Sequence, residues 1–250
     1  MKYTNYYKTI FISDLHLGST QCQSDVLLDF LKYNESEKLY LVGDIIDFWS
    51  LSKKTYWPKE HNTIVQKMLK KARHGTKIIY VPGNHDENIR DYDNHVFGDI
   101  EIRNEDVHET LEGKKYLVVH GDLFDNITKY NKWIAKLGSD GYDLLLILNR
   151  YISNTRRFLG IQSKFSLAGY IKNKVKNLVK FISDYEESIV AALQHKDVDG
   201  VICGHIHHAE LKDIGGFEYV NTGDFVESCT AIVEWYDGTL HLVHWEKFDK

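Results

Sequence analysis

Lys8-Thr9-Ile10-Phe11-Ile12-Ser13-Asp14-Leu15-His16 carries an apolar run into a carboxylate and an imidazole one residue apart. Lys8 to Ser13 reads as a short buried strand, and the single residue between Asp14 and His16 turns both toward the same side. A helical pattern follows, with Val26, Leu27, Phe30 and Leu31 on one face. A second strand is expected at Lys38 to Val42. Ile64, Val65, Met68, Leu69 and Ala72 mark another amphipathic helix, and Lys77 to Val81 a third strand ending in a Pro-Gly turn signal. This βαβαβ order implies parallel strands joined by crossover helices, a sheet that places ligands beyond the carboxyl ends of its strands.

Beyond Pro82 the runs shorten, to Ile100–Arg103, Val107–Leu111 and Lys115–His120, so the sheet is expected to turn mixed. From Phe124 to about His195 the apolar positions Ile171, Val175, Leu178, Val179, Ile182, Ile189 and Leu193 recur at helical intervals. Strands return at Val198–Cys203, Glu218–Val220, Thr230–Trp235 and Leu240–Trp245. The expected organisation is a single α/β domain over residues 1–250, interrupted by a helical insertion at 124–195.

The 250 residues, 43% hydrophobic and 27% charged, suit one globular domain with room for such an insertion. Two prolines and 17 glycines with no low-complexity tract leave little scope for a long linker. Met1 to Thr9 has no apolar signal-like core, and no stretch reaches the roughly 18 apolar residues of a membrane span. A cytoplasmic protein is expected. Cys22, Cys203 and Cys229 are odd in number and widely spaced, as reduced thiols packing as small apolar residues would be.

The net charge of -5 argues against general nucleic-acid binding. Its distribution is uneven. Between Tyr151 and Phe181 stand Arg156, Arg157, Lys164, Lys172, Lys174, Lys176 and Lys180 with no acidic residue, either an anion-binding surface or a solvated helix face.

Polar clusters follow five apolar strands: Asp14-Leu15-His16; Gly43-Asp44 with Asp47; Gly83-Asn84-His85-Asp86; His120-Gly121-Asp122; and Gly204-His205-Ile206-His207. Each alone is a weak signal, since a lone DxH is usually a polar turn and a lone GNHD a loop with a capping Asn. All five in order, each at a strand end, are poorly explained by chance. Oxygen and imidazole donors without thiolate suit divalent manganese, iron or zinc, and a carboxylate can bridge two ions. Seven such donors fill two sites. Asp47 has the plain alternative of a helix cap. His61, His74, His95, His108, His195, His241 and His244 are expected to be ordinary surface or satisfied, partly buried histidines, and His208 has no role assigned.

At these motifs the chain resembles the calcineurin-like metallophosphoesterase superfamily. That resemblance implies an α/β fold of two packed mixed β-sheets flanked by helices, with the helical insertion as a lid. It puts Asp14, His16 and His207 on one divalent metal, Asn84, His120 and His205 on a second, and Asp44 between them. The ions are expected to be manganese, with iron or zinc also fitting the donors. The implied reaction is in-line attack by water activated between the metals. His85 is similar to the family's histidine that donates to the phosphoryl or leaving-group oxygen, and Asp47 to the carboxylate that orients it.

More narrowly, Tyr130–Trp133, Tyr142–Leu145, Lys174–Asn177, Cys203–Glu210 and Asn221–Asp224 resemble the UDP-2,3-diacylglucosamine hydrolases of lipid A biosynthesis, in the branch bearing GNHD. Those enzymes cleave a pyrophosphate to give UMP and a lipid monophosphate. The better-known branch has Arg where this chain has His85. The resemblance implies a nucleotide-sugar lipid substrate and a peripheral position on the cytoplasmic face of the inner membrane. Asn84, Asp125, Arg156, Arg157, Lys172 and Lys176 are the expected substrate contacts. The insertion combines its basic stretch with Leu144 to Leu148, Ile152, Phe158, Leu159, Ile161, Phe165 and Leu167. It could therefore cover acyl chains while Arg or Lys heads meet phosphate, or simply bury those side chains against the body. Two alternatives stand: a phosphodiesterase or phosphatase of soluble nucleotides, and a non-catalytic scaffold of the same fold.

Overall fold

The computed structural model describes residues 4–124 and 183–246. Asp125, Arg156, Arg157, Lys172 and Lys176 lie outside the described residues, as do the apolar positions expected to cover acyl chains. The chain divides into two units, Met1–Leu123 with Ile189–Lys250, and Phe124–Ser188. Of the second unit, Phe124 and residues 183–188 are described, and there the Phe124 ring meets Tyr185 edge-on at 6.0 Å.

The first unit contains two mixed sheets. One is built from β1 (Asn5–Ile12), β2 (Asn34–Val42), β3 (Lys77–Val81), β4 (Val96–Phe97), β5 (Ile100–Ile102), β11 (Thr230–Glu234) and β12 (Leu240–His244), in the order β12-β11-β1-β2-β3-β5-β4. Strands β1, β2, β3 and β5 run parallel, while β11, β12 and β4 pair antiparallel at the flanks. The other sheet is built from β6 (Asp106–Glu109), β7 (Lys115–Val118), β8 (Gly200–Cys203), β9 (Glu210–Ile214) and β10 (Phe217–Asn221), in the order β6-β7-β8-β10-β9 with β7, β8 and β10 parallel.

Alternation along the parallel strands explains the layers. Phe11, Tyr40, Val42, Ile79 and Val81 face Tyr116, Val118, Ile202 and Val220 in one buried cluster between the sheets. The intervening residues Ile10, Ile12, Leu39, Leu41 and Ile78 pack in a second cluster under α1 (Ser24–Tyr33) and α3 (Lys59–Arg73). Leu27, Phe30 and Leu31 of α1, and Ile64, Met68 and Ala72 of α3, are the helical contributions, at the spacing of one helix face. With both faces of its sheet covered, β2 ends in four consecutive buried residues.

A short helix, α2 (Phe48–Lys53), buries none of its residues. Residues 183–193 are helical. Cys203 and Cys229 are buried, and all three cysteines are free thiols. Among the described residues no helix is long and apolar enough to cross a membrane.

Candidate metal centre

The five motifs converge because β1, β2 and β3 in one sheet, and β7 and β8 in the other, end on the same side, beyond their carboxyl ends. The connecting loops are cross-tied. The N–H of Asp14 donates to Gly43 O at 3.0 Å, that of His16 to Asp44 O at 2.9 Å, and that of Asp47 to Leu17 O at 2.8 Å. The Gly204 N–H donates to His120 O at 3.0 Å, which joins the loops of the second sheet.

Five of the seven expected ligands occupy the left-handed region of backbone space, with φ of 52° at Asp14, 49° at His16, 54° at Asp44, 72° at His205 and 54° at His207. Each such residue costs about 1–3 kcal/mol, and this kind of strain collects where side chains must be aimed against local preference. Gly43 has φ +80°, and a Cβ there would run into the His120 ring, so a side chain is excluded on two grounds.

Asp14 and Asp44 are buried, 0% and 2% exposed, and are held in the same way. One oxygen of each is fixed by a backbone N–H from a neighbouring motif: His205 N–H to Asp14 Oδ2 at 3.0 Å, and His85 N–H to Asp44 Oδ1 at 2.8 Å. The Ser13 hydroxyl also donates to Asp14 Oδ2. The other oxygen of each faces imidazoles. Asp14 Oδ1 lies 3.2 Å from His207 Nε2 and 3.9 Å from His16 Nε2. Asp44 Oδ2 lies 3.4 Å from His120 Nε2, 3.8 Å from His16 Nε2 and 3.9 Å from His85 Nε2.

The two shortest of these separations, 3.2 Å to His207 and 3.4 Å to His120, match donors shared around a cation, since ligands about 2.1 Å from an ion stand about 3.0–3.4 Å apart. Asp14 Oδ1, His16 Nε2, Asn84 Oδ1 and His120 Nε2 are all buried without a hydrogen-bond partner. Buried polar atoms are normally satisfied, so four orphans on four expected ligands fit a divalent ion as the partner. His120 Nδ1 is tied to Val42 O at 2.9 Å, which aims Nε2 inward as the second bond of a metal-bound histidine does. Among the described residues three groupings could hold an ion: Asp14, His16 and His207; Asp14, Asp44 and His120; and His16, Asp47 and His85. The His205 ring sits 5.1 Å from that of His120.

The electrostatics agree. Burial disfavours charge on His120, yet Asp44 and Asp14 beside it push its pKa up to about 10. Burial likewise opposes charge on His207, and Asp14 outweighs it to give a value of about 9. Asp44 is lowered to about 2 despite burial, chiefly by His120, and Asp14 is held well below the ordinary carboxylate range despite burial by His207. The buried carboxylates thus favour positive charge beside them.

Asp47 caps α2 by accepting from Ser50 N–H at 2.7 Å, and it meets His85 Nδ1 at 2.9 Å. His85 is raised above its ordinary value, the Asp47 bond and the Asp44 charge outweighing burial. Several supporting groups escaped the sequence reading. Buried Asp86 of the GNHD motif accepts from Ile45 N–H at 2.8 Å, Ile46 N–H at 3.3 Å, Gly83 N–H and the Tyr80 hydroxyl, locking the loops after β2 and β3 together. Its conjunction with Asn84 and His85 was the available signal. Arg90 clamps Asp122 at 2.8 and 2.9 Å, and Trp49 lies over His85 with ring centroids 4.2 Å apart. Nothing in the sequence marked either.

Two histidines are more deeply buried than expected: His61 is 1% and His108 3% exposed. His61 Nδ1 accepts Gly18 N–H at 3.0 Å, and His108 Nε2 pairs with Glu234 at 2.8 Å, so each has a polar partner in the interior.

Carboxylates and imidazoles gathered at the strand ends of two packed mixed sheets define a metal-dependent hydrolase of phosphoric ester or anhydride bonds. The chain belongs to the calcineurin-like phosphoesterase family, whose model matches residues 7–209. It is 29% identical over 253 residues to the UDP-2,3-diacylglucosamine hydrolase of Aliivibrio fischeri (strain MJ11), covering 96% of this chain and 98% of that protein. The protein of the same name from Vibrio atlanticus (strain LGP32) is 32% identical over 210 residues, 82% of each. Among solved structures, vacuolar protein sorting 29 from Cryptosporidium parvum has a TM-score of 0.46 at 13% identity, covering 98% of this chain and 100% of that one.

Proposed function

We propose that this phosphoesterase hydrolyses the pyrophosphate of UDP-2,3-diacylglucosamine to UMP and the lipid monophosphate, with Asp14, His16, Asp44, Asn84, His120, His205 and His207 holding two divalent ions. The observation that carries the chemistry is the pair of buried carboxylates, Asp14 and Asp44, each with one oxygen anchored by backbone and the other facing imidazoles. When bound, the two ions lower the pKa of water and neutralise phosphoryl oxygens.

The chain's own groups supply the rest. With Nδ1 engaged by Asp47, His85 keeps its other nitrogen, Nε2, on the side of Asp44. Burial opposes charge on the ring, but the Asp47 bond and the Asp44 charge raise it above its ordinary value, so Nε2 is placed to hold a proton for the phosphoryl or leaving-group oxygen. Asn84, next to His85, offers its buried oxygen to a metal and is positioned in sequence to meet substrate as well.

The lipid substrate is supported by relatives of that name matching along almost the whole chain. It is also supported by the acid-free basic sequence between Tyr151 and Phe181 amid apolar residues, from which we propose a lid over residues 124–195 and peripheral attachment to an anionic membrane surface. Arg156, Arg157, Lys172 and Lys176 are its proposed phosphate contacts, and Asp125 a proposed polar contact to the sugar or nucleotide. Manganese is the proposed ion. The test compares kcat/KM of manganese-loaded protein on UDP-2,3-diacylglucosamine with that on soluble dinucleotides and cyclic nucleotides. Preference for the acylated sugar supports the proposal; equal or faster turnover of the soluble nucleotides rejects the lipid substrate.

A further inference from the structure

The first turn of α2 contributes no expected metal ligand, yet it borders both His16 and His85. Ser50 reaches the two oxygens of Asp47 separately: its N–H donates to Oδ1 at 2.7 Å and its hydroxyl to Oδ2 at 2.8 Å. Those oxygens are the ones that meet the imidazoles, Oδ1 at His85 Nδ1 (2.9 Å) and Oδ2 at His16 Nδ1 (3.3 Å). Asp47 is 4% exposed, and its carboxyl is held well below the ordinary range, the bonds from His16, His85 and Ser50 overcoming burial. The Ser50 N–H thus ties the oxygen that meets His85, and the Ser50 hydroxyl ties the oxygen that meets His16.

Trp49 acts on a different surface. Its ring lies over the His85 ring at 4.2 Å and 32°, while the His16 ring meets His85 edge-on at 4.6 Å and 87°. His85 is thus held at its Nδ1 edge by Asp47 and across one face by Trp49. His16 is held at Nδ1 by Asp47, with its Nε2 toward Asp14 and Asp44.

We propose that Ser50 and Trp49 are positioning residues of different reach, Ser50 setting both His16 and His85 through Asp47 and Trp49 setting His85 alone. The inference rests on the reading of His16 as a metal ligand and His85 as the proton donor. An imidazole whose Nδ1 is fixed by a carboxylate has its tautomer and ring plane set for the other nitrogen, and losing such a supporting partner costs about 10–100-fold in metal affinity or activity.

The experiment uses the full chain, with manganese affinity measured by titration calorimetry and hydrolysis of bis(4-nitrophenyl) phosphate resolved into kcat and KM at saturating manganese. Ser50→Ala is expected to weaken manganese binding and to lower kcat, each about 10-fold, and Ser50→Thr to restore both by returning the hydroxyl. Trp49→Leu is expected to lower kcat about 10-fold with KM and manganese affinity within about twofold, and Trp49→Phe to restore it. Unchanged manganese affinity in Ser50→Ala, weakened affinity in Trp49→Leu, or failure of Ser50→Thr to rescue overturns the inference. Asp14→Ala is the reference: if it too keeps full manganese affinity, the metal-centre reading falls first. If Asp14→Ala loses manganese while Ser50→Ala keeps it, only the positioning role is lost.

Discussion

The backbone N–H of His85 donates to Asp44 Oδ1 at 2.8 Å, so the residue expected to move a proton also anchors the residue expected to bridge two metals. This leaves Asp44 Oδ2 to face His120, His16 and His85. Asp44→Asn can keep an oxygen for the His85 N–H, so its fold should survive while the bridging charge is lost. Manganese affinity and kcat are expected to fall about 100-fold or more, with an unchanged circular dichroism spectrum. Retention of manganese binding by folded Asp44→Asn would remove Asp44 from the centre.

His85 differs from the surrounding imidazoles in having both Asp47 at Nδ1 and Trp49 across its face. His85→Gln is expected to cut kcat about 10²–10⁴-fold, the usual worth of a placed general acid, while manganese affinity stays near wild type. Steady-state kinetics and calorimetry on the same preparation separate the two effects. A loss of manganese matching the loss of rate would make His85 a ligand instead.

Much of the fold was legible because burial on both faces writes itself into sequence: β3 was expected at Lys77 to Val81 and is found there. Strands β1 and β2 begin earlier than expected, at Asn5 and Asn34, which pair in register and bond through their side chains at 3.0 Å. The Asn34 side chain also donates to Phe30 O at 2.8 Å, and such bonds between polar groups give no hydrophobic pattern to read. The edge strand β9 and the two-residue β4 were missed for a similar reason, since Glu210–Ile214 is wholly intermediate or exposed and Val96–Phe97 wholly exposed. The expected ligands could be read because strand ends combine glycine with His, Asp and Asn. The contacts of Trp49, Ser50 and Arg90 could not, because they arise only when loops from different strands meet.

Metal-free protein should show an alkaline loss of stability that bound metal removes. His120 and His207 are raised to about 10 and about 9 from an unfolded value of about 6.5. A raised histidine contributes fully below its unfolded value and loses that contribution as pH rises through its folded value. The thermal midpoint of chelated protein is therefore expected to fall between about pH 6.5 and pH 10, by at least about 4 °C. The manganese-loaded protein, whose cations replace those protons, should show a much flatter profile over the same range. Parallel profiles for the two forms would contradict a shared proton and metal site.

Glu234 predicts the opposite dependence, at a place remote from catalysis. It is 1% exposed and accepts from the Thr9 hydroxyl at 2.7 Å, His108 Nε2 at 2.8 Å and Leu111 N–H at 2.9 Å, joining β11 to β1 and to β6 in the other sheet. Burial alone would raise its carboxyl, but the bonds from His108, Thr9 and Leu111 outweigh burial and lower it. A lowered carboxylate contributes stability above its unfolded value, about 4.3, and loses it as pH falls through the folded value. Glu234→Gln replaces one acceptor with a donor facing donors, and is expected to cost about 2 kcal/mol at pH 7 in urea unfolding. The deficit relative to wild type should narrow as pH falls from about 4.3 through the lowered folded value of the wild-type carboxylate. A deficit that stayed constant from pH 7 to pH 3 would show that the charge on Glu234 contributes nothing and that packing alone holds the two sheets together there.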